Sequence, residues 1–336
     1  MSRMPGQLSM PAEWAEHERT LIAWPARESL WGEQLDAARD CYARVIATVA
    51  RFEPVTVVAD VGRGDEARAA CDGPHGHPID VVEEPIDDSW LRDSGPIVVT
   101  SANGERAGVD FRFNGWGGKH TPYDRDDGIA ARLCDRLGIP RQVSWMVLEG
   151  GAITVDGART LVTTEQCLLH RTRNPDLSRE QIEDELREHL GADRIVWLAA
   201  GLVEDRDTDG HVDNVCAFIA PRVALVQGTD DPSNPNVEIL TDNRRRLDAA
   251  GIETISVDVL PYDRVGERHV VVPPLNLYFV NGGVIVPVAD TDPRAADRAV
   301  EQVAAAIPSR EIVPVPTSVL SYGGGGIHCI TQQVPA

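Results

Sequence analysis

The chain has 336 residues, of which 42% are hydrophobic and 25% charged, as expected for a globular protein with a large core. Its formal net charge of −21 at pH 7 and pI near 4.8 argue against nucleic acid or an anionic membrane as a partner, and favour the approach of a small cation. A highly charged surface also keeps a protein soluble, so the charge alone does not decide the function.

The start of the chain and its cysteines indicate a compartment. No apolar run follows Arg3 in residues 1–10, and no stretch approaches the roughly 18 apolar residues that a membrane span requires. We therefore expect a cytoplasmic protein without a signal peptide. The six cysteines contain no CxxC pair, which fits a reducing compartment and predicts neither a disulfide framework nor a zinc cluster. They are Cys41, Cys71, Cys134, Cys167, Cys216 and Cys329.

The hydrophobic pattern predicts an α/β protein built from repeated helix–strand units. A strand at 20–24 precedes the first unit, which has a helix at 33–52 and a strand at 55–59. Four similar units follow. Their helices are predicted at 126–137, 178–190, 237–250 and 294–307, and their strands at 142–147, 194–198, 254–259 and 311–315. Each unit is followed by a polar or glycine-rich turn and another apolar strand.

One polar residue in each of these turns recurs at a nearly constant spacing. These residues are Asp93, Glu149, His211, Asn276 and Cys329, with separations of 56, 62, 65 and 53. The repeat predicts a five-unit pseudo-symmetric α/β propeller whose turns converge at one axial end. A doubly wound parallel sheet is the competing architecture, but no glycine-rich nucleotide fingerprint follows the first strand. Because no linker divides the chain, we predict one domain over 1–336.

Cys329 follows four consecutive glycines and precedes a short predicted strand. Glycines allow the backbone to approach a ligand closely, which suits a reactive thiol. Cys329 is therefore a candidate nucleophile, with His211 as acid and base and Glu149 as the group that orients the imidazole. The alternative is a frayed glycine-rich tail with an unused thiol.

Two further carboxylates, Asp93 and Asp213, share the same positions in the repeat. Several acids would oppose the anionic intermediate of acyl transfer, but they match a guanidinium, whose planar N–H groups pair with carboxylates. Simpler interpretations remain: His211 as a structural histidine, Asp93 as an ion-pair partner of the adjacent arginine, and Glu149 as a turn residue. A metal site is a further alternative, since His211, Asp213 and His269 imitate the facial triad of non-haem iron enzymes.

Seven segments, in order along the chain from residue 10 onward, resemble agmatine deiminases. They are MPAEW (10–14), DSWLRDSGP (88–96), FNGWGGK (113–119), LEGG (148–151), TTEQCLL (163–169), DTDGHVDN (207–214) and GGGGIHCITQQ (323–333). The resemblance implies the pentein fold, a five-unit α/β propeller. It also implies hydrolysis of agmatine to N-carbamoylputrescine and ammonia, without a cofactor or metal.

Carried over by position, the resemblance makes Cys329 the nucleophile, His211 the proton shuttle and Glu149 its partner. It makes Asp93 and Asp213 the groups that hold the guanidinium.

The resemblance also places Asp207 where an acid can face the far amine of the substrate. The two tryptophans Trp90 and Trp116 are assigned to the walls of the substrate site, with a place in the core as the alternative. Two departures from the family pattern, Gly326 in place of Asn and 273–276 in place of Ala-Ser-Tyr-x-Asn, are expected to contact the tail of the substrate.

Other guanidines are the nearest rivals to agmatine. Free arginine would need a cation for its α-carboxylate, whereas Asp207 is an acid; transfer of an amidino group is a further variant. Peptidyl arginine would favour an exported protein. A non-catalytic polyamine-binding relative is the rival from another class, but it would not need Cys329, His211 and Glu149 together. The sequence leaves open whether copies of the chain assemble into a homo-oligomer.

Overall fold

The computed structural model describes residues 7–336 as small mixed sheets with helices packed against them. Residues 1–6, part of the segment expected to lack a signal peptide, lie outside the described residues. Within the described range no helix combines the length and apolarity needed to cross a membrane.

The strands and helices have the following bounds. The strands are β1 His17–Ala23, β2 Val55–Ala59, β3 Ile79–Glu83, β4 Ile97–Thr100, β5 Arg106–Arg112, β6 Arg141–Val147, β7 Ile153–Val155, β8 Thr160–Thr164, β9 Arg194–Leu198, β10 Cys216–Ala220, β11 Val223–Gln227, β12 Glu253–Val257, β13 Tyr262–Val265, β14 Arg268–Val271, β15 Tyr278–Val280, β16 Gly283–Val288, β17 Glu311–Pro316 and β18 Thr331–Pro335. The helices are α1 Glu28–Trp31, α2 Leu35–Val49, α3 Gly64–Ala70, α4 Leu91–Ser94, α5 Gly115–Gly118, α6 Asp124–Asp127, α7 Ile129–Leu137, α8 Glu165–Leu168, α9 Arg179–Leu190, α10 Val237–Ala249, α11 Pro293–Ala306, α12 Ser318–Gly323 and α13 Ile327–Ile330. Single 3₁₀ turns lie at Gly32–Gln34, Gly150–Ala152 and Val212–Asn214.

Five sheets share one pattern of connections. An antiparallel pair of strands is followed by at least one helix and then by a strand that pairs in parallel with the second strand of the pair. Four of these sheets have the orders β4-β5-β6, β7-β8-β9, β10-β11-β12 and β15-β16-β17. The fifth has the order β18-β1-β2-β3, so its antiparallel pair joins residues 17–22 to residues 331–335. The hairpin β13–β14 forms a separate two-stranded sheet.

The predicted helix–strand units are confirmed in place and order. The predicted strands at 55–59 and 194–198 coincide with β2 and β9, and the helix predicted at 33–52 is the shorter α2. Helix α2 buries Ala38, Cys41, Tyr42, Val45, Ile46 and Val49, whose helical spacing places them on one face. Strands β5, β8, β11 and β16, each the second strand of an antiparallel pair, were not predicted.

The five spaced polar residues occupy equivalent positions in this pattern. Each lies just before the first strand of a sheet: Asp93 in α4 before β4, Glu149 and His211 next to 3₁₀ turns before β7 and β10, and Asn276 before β15. Cys329 lies in α13, directly before β18. The predicted strand after the thiol is therefore confirmed, although Cys329 itself is in a short helix. The repeat thus brings one of these five side chains to the same end of each sheet.

Candidate active site

Cys329 is almost enclosed, with 4% of its surface exposed. Its Sγ accepts a hydrogen bond from Asn276 Nδ2 at 3.3 Å and lies 3.5 Å from Asp213 Oδ2. Burial, and then the carboxylates of Asp213 and Asp93, raise the pKa of the Cys329 thiol well above its usual value. In the free protein this thiol is therefore protonated at neutral pH.

Asp213 is held by one of its two oxygens. Its Oδ2 is 3.0 Å from His328 Nδ1, while Oδ1 has no hydrogen-bond partner among residues 7–336. A buried carboxylate oxygen without a partner is costly, so Oδ1 is suited to accept hydrogen bonds from a bound ligand.

His211 is fully buried and lies between two carboxylates. Its Nδ1 is 3.9 Å from Asp93 Oδ1 and its Nε2 is 3.9 Å from Glu149 Oε2, and neither ring nitrogen forms a hydrogen bond within the described part of the chain. Burial alone would lower the pKa of His211, but Asp93, Cys167 and Glu149 outweigh it and raise the pKa well above the usual value. The ring is thus charged, as an imidazolium, at neutral pH.

Glu149 is fixed by a buried arginine that was not predicted from the sequence. Arg173 donates from Nε to Glu149 Oε1 at 2.5 Å, and both side chains are fully buried. The guanidinium also donates to Asp209 Oδ2 and to the Thr208 carbonyl, each at 2.9 Å. Burial would raise the pKa of Glu149, but Arg173 and then His211 lower it below the usual value, so this carboxylate stays charged.

Asp93 is oriented by two donors. Trp116 Nε1 donates to Oδ2 and the Gly151 backbone N–H donates to Oδ1, both at 2.9 Å. Trp116 has a left-handed backbone, with φ 54° and ψ 47°, between glycines that also have positive φ. Such a conformation is rare for a bulky residue, and here it turns the indole toward Asp93. Burial raises the pKa of Asp93, and the nearby charge of His211 makes this rise smaller.

Glycines give the backbone clearance at two places in the site. A Cβ on Gly151 would lie 2.6 Å from His211 Nδ1 and 2.9 Å from Asp213 Oδ2. A Cβ on Gly325 would lie 2.4 Å from the Trp90 ring and 3.0 Å from Cys329 Cβ. The predicted role of the glycine run as clearance around the thiol is thus consistent with the geometry.

A small cavity opens onto the thiol. Its lining consists of Trp90, Asp93, Trp116, His120, Asp207, Thr208, Gly323, Gly324 and Cys329. The structure thus brings both predicted tryptophans and Asp207 to the same cavity as Cys329. Trp90 is also part of the core, since it stacks on Trp31 with ring centroids 5.9 Å apart.

Asp207 lies close to three basic side chains, those of His120, Arg268 and Lys119. Its Oδ1 is 3.9 Å from His120 Nε2 and its Oδ2 is 3.8 Å from Arg268 Nη2, and its carbonyl accepts from Lys119 Nζ at 3.1 Å. His120 is the main cause that lowers the pKa of the Asp207 carboxyl. The side chain remains 40% exposed, so its charge is screened by solvent.

The two departures from the family pattern lie at Gly326 and at 273–276. Asn276 contacts the Cys329 sulfur, and a Cβ on Gly326 would lie 2.4 Å from Asn276 Oδ1. Gly326 therefore lies beside the group that contacts the sulfur. Pro273 lines a neighbouring outer cavity that also includes Asp207 and Arg268. The expected contacts of Gly326 and of 273–276 with the substrate tail stay a prediction.

The iron-site alternative is not supported by the arrangement of possible ligands. Within the part of the chain that the structure describes, the group of metal-ligand atoms that lie close together consists of Glu149, Cys167 and His211. It includes neither Asp213 nor His269, so the facial-triad interpretation is wrong. Glu149 is in addition already paired with Arg173.

Three residues that contact this site, Glu13, His328 and Arg173, were given no role from the sequence, and Asn276 was given no contact with the thiol. Glu13 and His328 stand inside two of the motifs, and Asn276 inside the repeat, so a search for partners of the named acids within those motifs could have found them. Arg173 follows one of the motifs by a few residues and carried no comparable signal, because its contact with Glu149 depends on tertiary packing.

Comparison with known proteins decides the family. The sequence profile of the Porphyromonas-type peptidyl-arginine deiminase family matches residues 9–335. The chain belongs to this family.

Individual relatives extend the match over nearly the whole chain. An agmatine deiminase of Stutzerimonas stutzeri (strain A1501) is 42% identical over 367 residues, covering 97% of this chain and 95% of the relative. One from Pseudomonas aeruginosa (strain LESB58) is 40% identical over 364 residues, with the same coverage of 97% and 95%. The solved agmatine deiminase of Enterococcus faecalis superposes with a TM-score of 0.91 at 32% identity, covering 100% of this chain and 99% of that one. The resemblance inferred from the motifs is confirmed, and the mixed α/β fold is that of these enzymes.

Proposed function

We propose that this protein is a hydrolase that converts agmatine and water to N-carbamoylputrescine and ammonia. The observation that carries the proposal is a thiol placed among buried carboxylates, with Cys329 Sγ 3.5 Å from Asp213 and Asp93 lining the same cavity. Carboxylates beside a thiol oppose the thiolate unless the ligand is a cation, and a guanidinium is both a cation and a planar donor. Relatives that are 42% and 40% identical are agmatine deiminases.

Binding of the guanidinium prepares the nucleophile. Asp213 Oδ1 and the carboxylate of Asp93 accept its N–H groups, and the positive charge offsets the acids that raise the pKa of Cys329. The thiol then loses its proton to solvent, which leaves a thiolate against the guanidinium carbon.

The chemistry proceeds in two halves on the same sulfur. The thiolate forms a C–S bond, and His211 gives its proton to the departing nitrogen, which leaves as ammonia when the C–N bond breaks. Water then attacks the same carbon of the S-alkylthiouronium intermediate, and His211 takes a proton from this water. The C–S bond then breaks, the remaining hydroxyl proton of the former water passes to the sulfur, and the urea product leaves with the Cys329 thiol restored. Glu149, kept charged by Arg173, stabilises the imidazolium in both halves.

The test is ammonia release from agmatine, free arginine and a blocked peptidyl arginine, measured side by side with the purified protein. We expect the highest kcat/KM with agmatine. Release from none of the three, with the protein folded by circular dichroism, would overturn the proposal.

Free arginine is the second candidate substrate, and one observation favours it. Arg268, with 52% of its side chain exposed, lies 3.8 Å from Asp207 near the outer end of the cavity and supplies a cation for an α-carboxylate. Agmatine remains preferred because Asp207, Glu204 and Asp205 line the adjoining outer cavity, where an amine is attracted.

Asn substitutions at the two acids test the guanidinium site. In Asp213→Asn and Asp93→Asn, we expect kcat/KM for agmatine to fall at least about tenfold, because each loses a charge-assisted hydrogen bond worth roughly 1.5 to 3 kcal/mol. Steady-state kinetics at saturating and limiting agmatine separate KM from kcat. Wild-type kinetics in either variant would remove that residue from the site.

Asp207→Asn tests recognition of the tail. The carboxylate is partly exposed and already faces His120 and Arg268, so we expect a modest rise in KM for agmatine, about threefold, and a smaller preference over arginine. The ratio of kcat/KM for agmatine and arginine is the measurement. Arg268→Gln is the matched variant and should shift this ratio in the opposite direction. An unchanged ratio in both would place recognition of the amine elsewhere.

We also propose that the five similar sheets are the units of a single propeller domain. Contacts between turns of different sheets support this, since Cys329 meets Asn276 and Asp213, and His211 meets Asp93 and Glu149. Pairing of β1 with β18 would close such a ring. Small-angle X-ray scattering of the intact protein, compared with the profile of a closed ring, is the test.

A further inference from the structure

A chain of buried charged groups runs from the N-terminal segment to the thiol. Glu13 Oε1 lies 2.8 Å from His328 Nε2, His328 Nδ1 lies 3.0 Å from Asp213 Oδ2, and the same oxygen lies 3.5 Å from Cys329 Sγ. All four residues are buried. The roles of Cys329, His211 and Glu149 do not explain why a histidine adjacent to the thiol bridges two carboxylates.

The geometry determines the protonation state of His328. A neutral imidazole has one N–H donor and one lone pair, whereas here both ring nitrogens face carboxylate oxygens at hydrogen-bond distance. Only the imidazolium donates to both Glu13 and Asp213 at once. A neutral ring would place a lone pair against a buried anion.

The remaining charged groups around the ring fit this state. Arg92 lies on the other side of Glu13, with Nη1 3.8 Å from Glu13 Oε1, and donates from Nε to the His328 carbonyl at 3.3 Å. Arg92 itself lies over the Tyr278 ring, 5.9 Å from its centroid. Two cations, Arg92 and His328, therefore face two anions, Glu13 and Asp213, so this buried set is neutral as a whole.

The backbone also holds His328 in place. Its N–H donates to Asn276 Oδ1 at 2.9 Å, and the carbonyl of Glu13 is 2.8 Å from His17 Nε2. His17 is itself bound to Glu53 at 3.0 Å. Hydrogen bonds thus hold the backbone of both His328 and Glu13 to buried residues.

From these contacts, and on the proposed deiminase function, we infer that Glu13 and His328 are positioning residues that fix the substrate-binding carboxylate. By occupying Oδ2 of Asp213, the imidazolium directs the unpartnered Oδ1 to the guanidinium. It also partly offsets the negative charge beside the thiol. Recognition of the substrate therefore depends on the protonation of His328, whereas the proton transfers of the reaction belong to His211.

The pH dependence of KM distinguishes positioning from simple structural support. His328 is charged in the bound state, so loss of its proton on the alkaline side should raise KM. Burial and Arg92 lower the pKa of His328, but Glu13 and Asp213 outweigh them and raise it above the usual value. In Glu13→Gln the imidazolium loses one anionic partner. We expect the alkaline rise in KM to move to lower pH by about one unit, with kcat at the acidic end changed by less than about threefold.

A matched control is available in Glu185→Gln on α9. Glu185 is also paired with a histidine, with Oε2 3.4 Å from His189 Nε2, and its other partner is Ser144, so it takes no part in the contacts of Glu13, His328 or Asp213. This variant should keep the wild-type pH dependence of KM. Equal pH dependence of KM in wild type and Glu13→Gln would overturn the inference, as would an equal shift in Glu185→Gln.

A spectroscopic readout does not require turnover. With ¹⁵N-labelled histidine, and His328→Gln to assign the signal, both ring nitrogens of His328 should show the imidazolium signature above the pH at which free histidine loses it. A neutral His328 ring at neutral pH in the folded wild-type protein would overturn the inference, even if Glu13→Gln does not fold. Failure to hydrolyse any guanidine would instead overturn the proposed function and leave this measurement intact.

Discussion

Replacing Cys329 with serine should abolish ammonia release while the fold and the free energy of unfolding stay nearly unchanged. A serine hydroxyl is a far weaker nucleophile than a thiolate near neutral pH. No base is available to activate it, since His211 is held as an imidazolium by Asp93 and Glu149. We expect kcat to fall by roughly 10⁴-fold or more.

The Cys329→Ser experiment needs a control for the loss of a buried thiol. Cys41 is buried on α2, with Sγ 3.6 Å from the Pro316 carbonyl, and it does not line the cavity. Cys41→Ser should keep its activity. Agmatine should still bind to Cys329→Ser, as isothermal titration calorimetry can show. Substantial turnover by Cys329→Ser would refute the assignment of the nucleophile.

Replacing Arg173 with methionine should lower the free energy of unfolding more than any of the other substitutions. It leaves Glu149 as a buried anion without its 2.5 Å partner, and breaking a buried ion pair in this way costs roughly 3 to 5 kcal/mol. Arg173 lowers the pKa of Glu149, so the ion pair stabilises the folded state fully above the usual carboxyl pKa. This contribution to the free energy of unfolding is lost as the pH falls and Glu149 takes up a proton. The stability difference from wild type, measured by urea unfolding, should therefore narrow on acidification.

Two variants make the Arg173 result specific. Arg179→Met removes an arginine from a partly exposed pair, 2.6 Å from Glu165, and should change the free energy of unfolding by less than about 1 kcal/mol. The double variant Arg173→Met with Glu149→Gln should recover part of the stability but no activity. If Arg173→Met unfolds like wild type at neutral pH, the ion pair does not stabilise the fold.

The sequence predicted the elements whose signals are local. Helix α2 has its apolar residues at helical spacing, and β2 and β9 are short apolar runs that each follow a predicted helix. Strands β8 and β11 are equally short runs, but each follows the first strand of a hairpin, where no change of period marks a new element.

The candidate site was predictable where the repeat places one residue at each equivalent turn. Cys329, His211 and Asp93 follow from that spacing and from chemistry. Arg173 does not, because its pairing with Glu149 joins residues from different turns and leaves no periodic trace. Asn276 also follows from the spacing, but its hydrogen bond to the thiol does not, because it depends on the close approach of Gly326, where a Cβ would lie 2.4 Å from Asn276 Oδ1.

Pairing of β1 with β18 has a consequence for the order of events during protein synthesis. Residues 17–22 leave the ribosome early and keep one edge unpaired until residues 331–335 are made. The strands of the other four sheets all precede residue 317, so they can pair before Cys329 is made. The sheet that begins with the strand after Cys329 is completed last, when β1 and β18 meet.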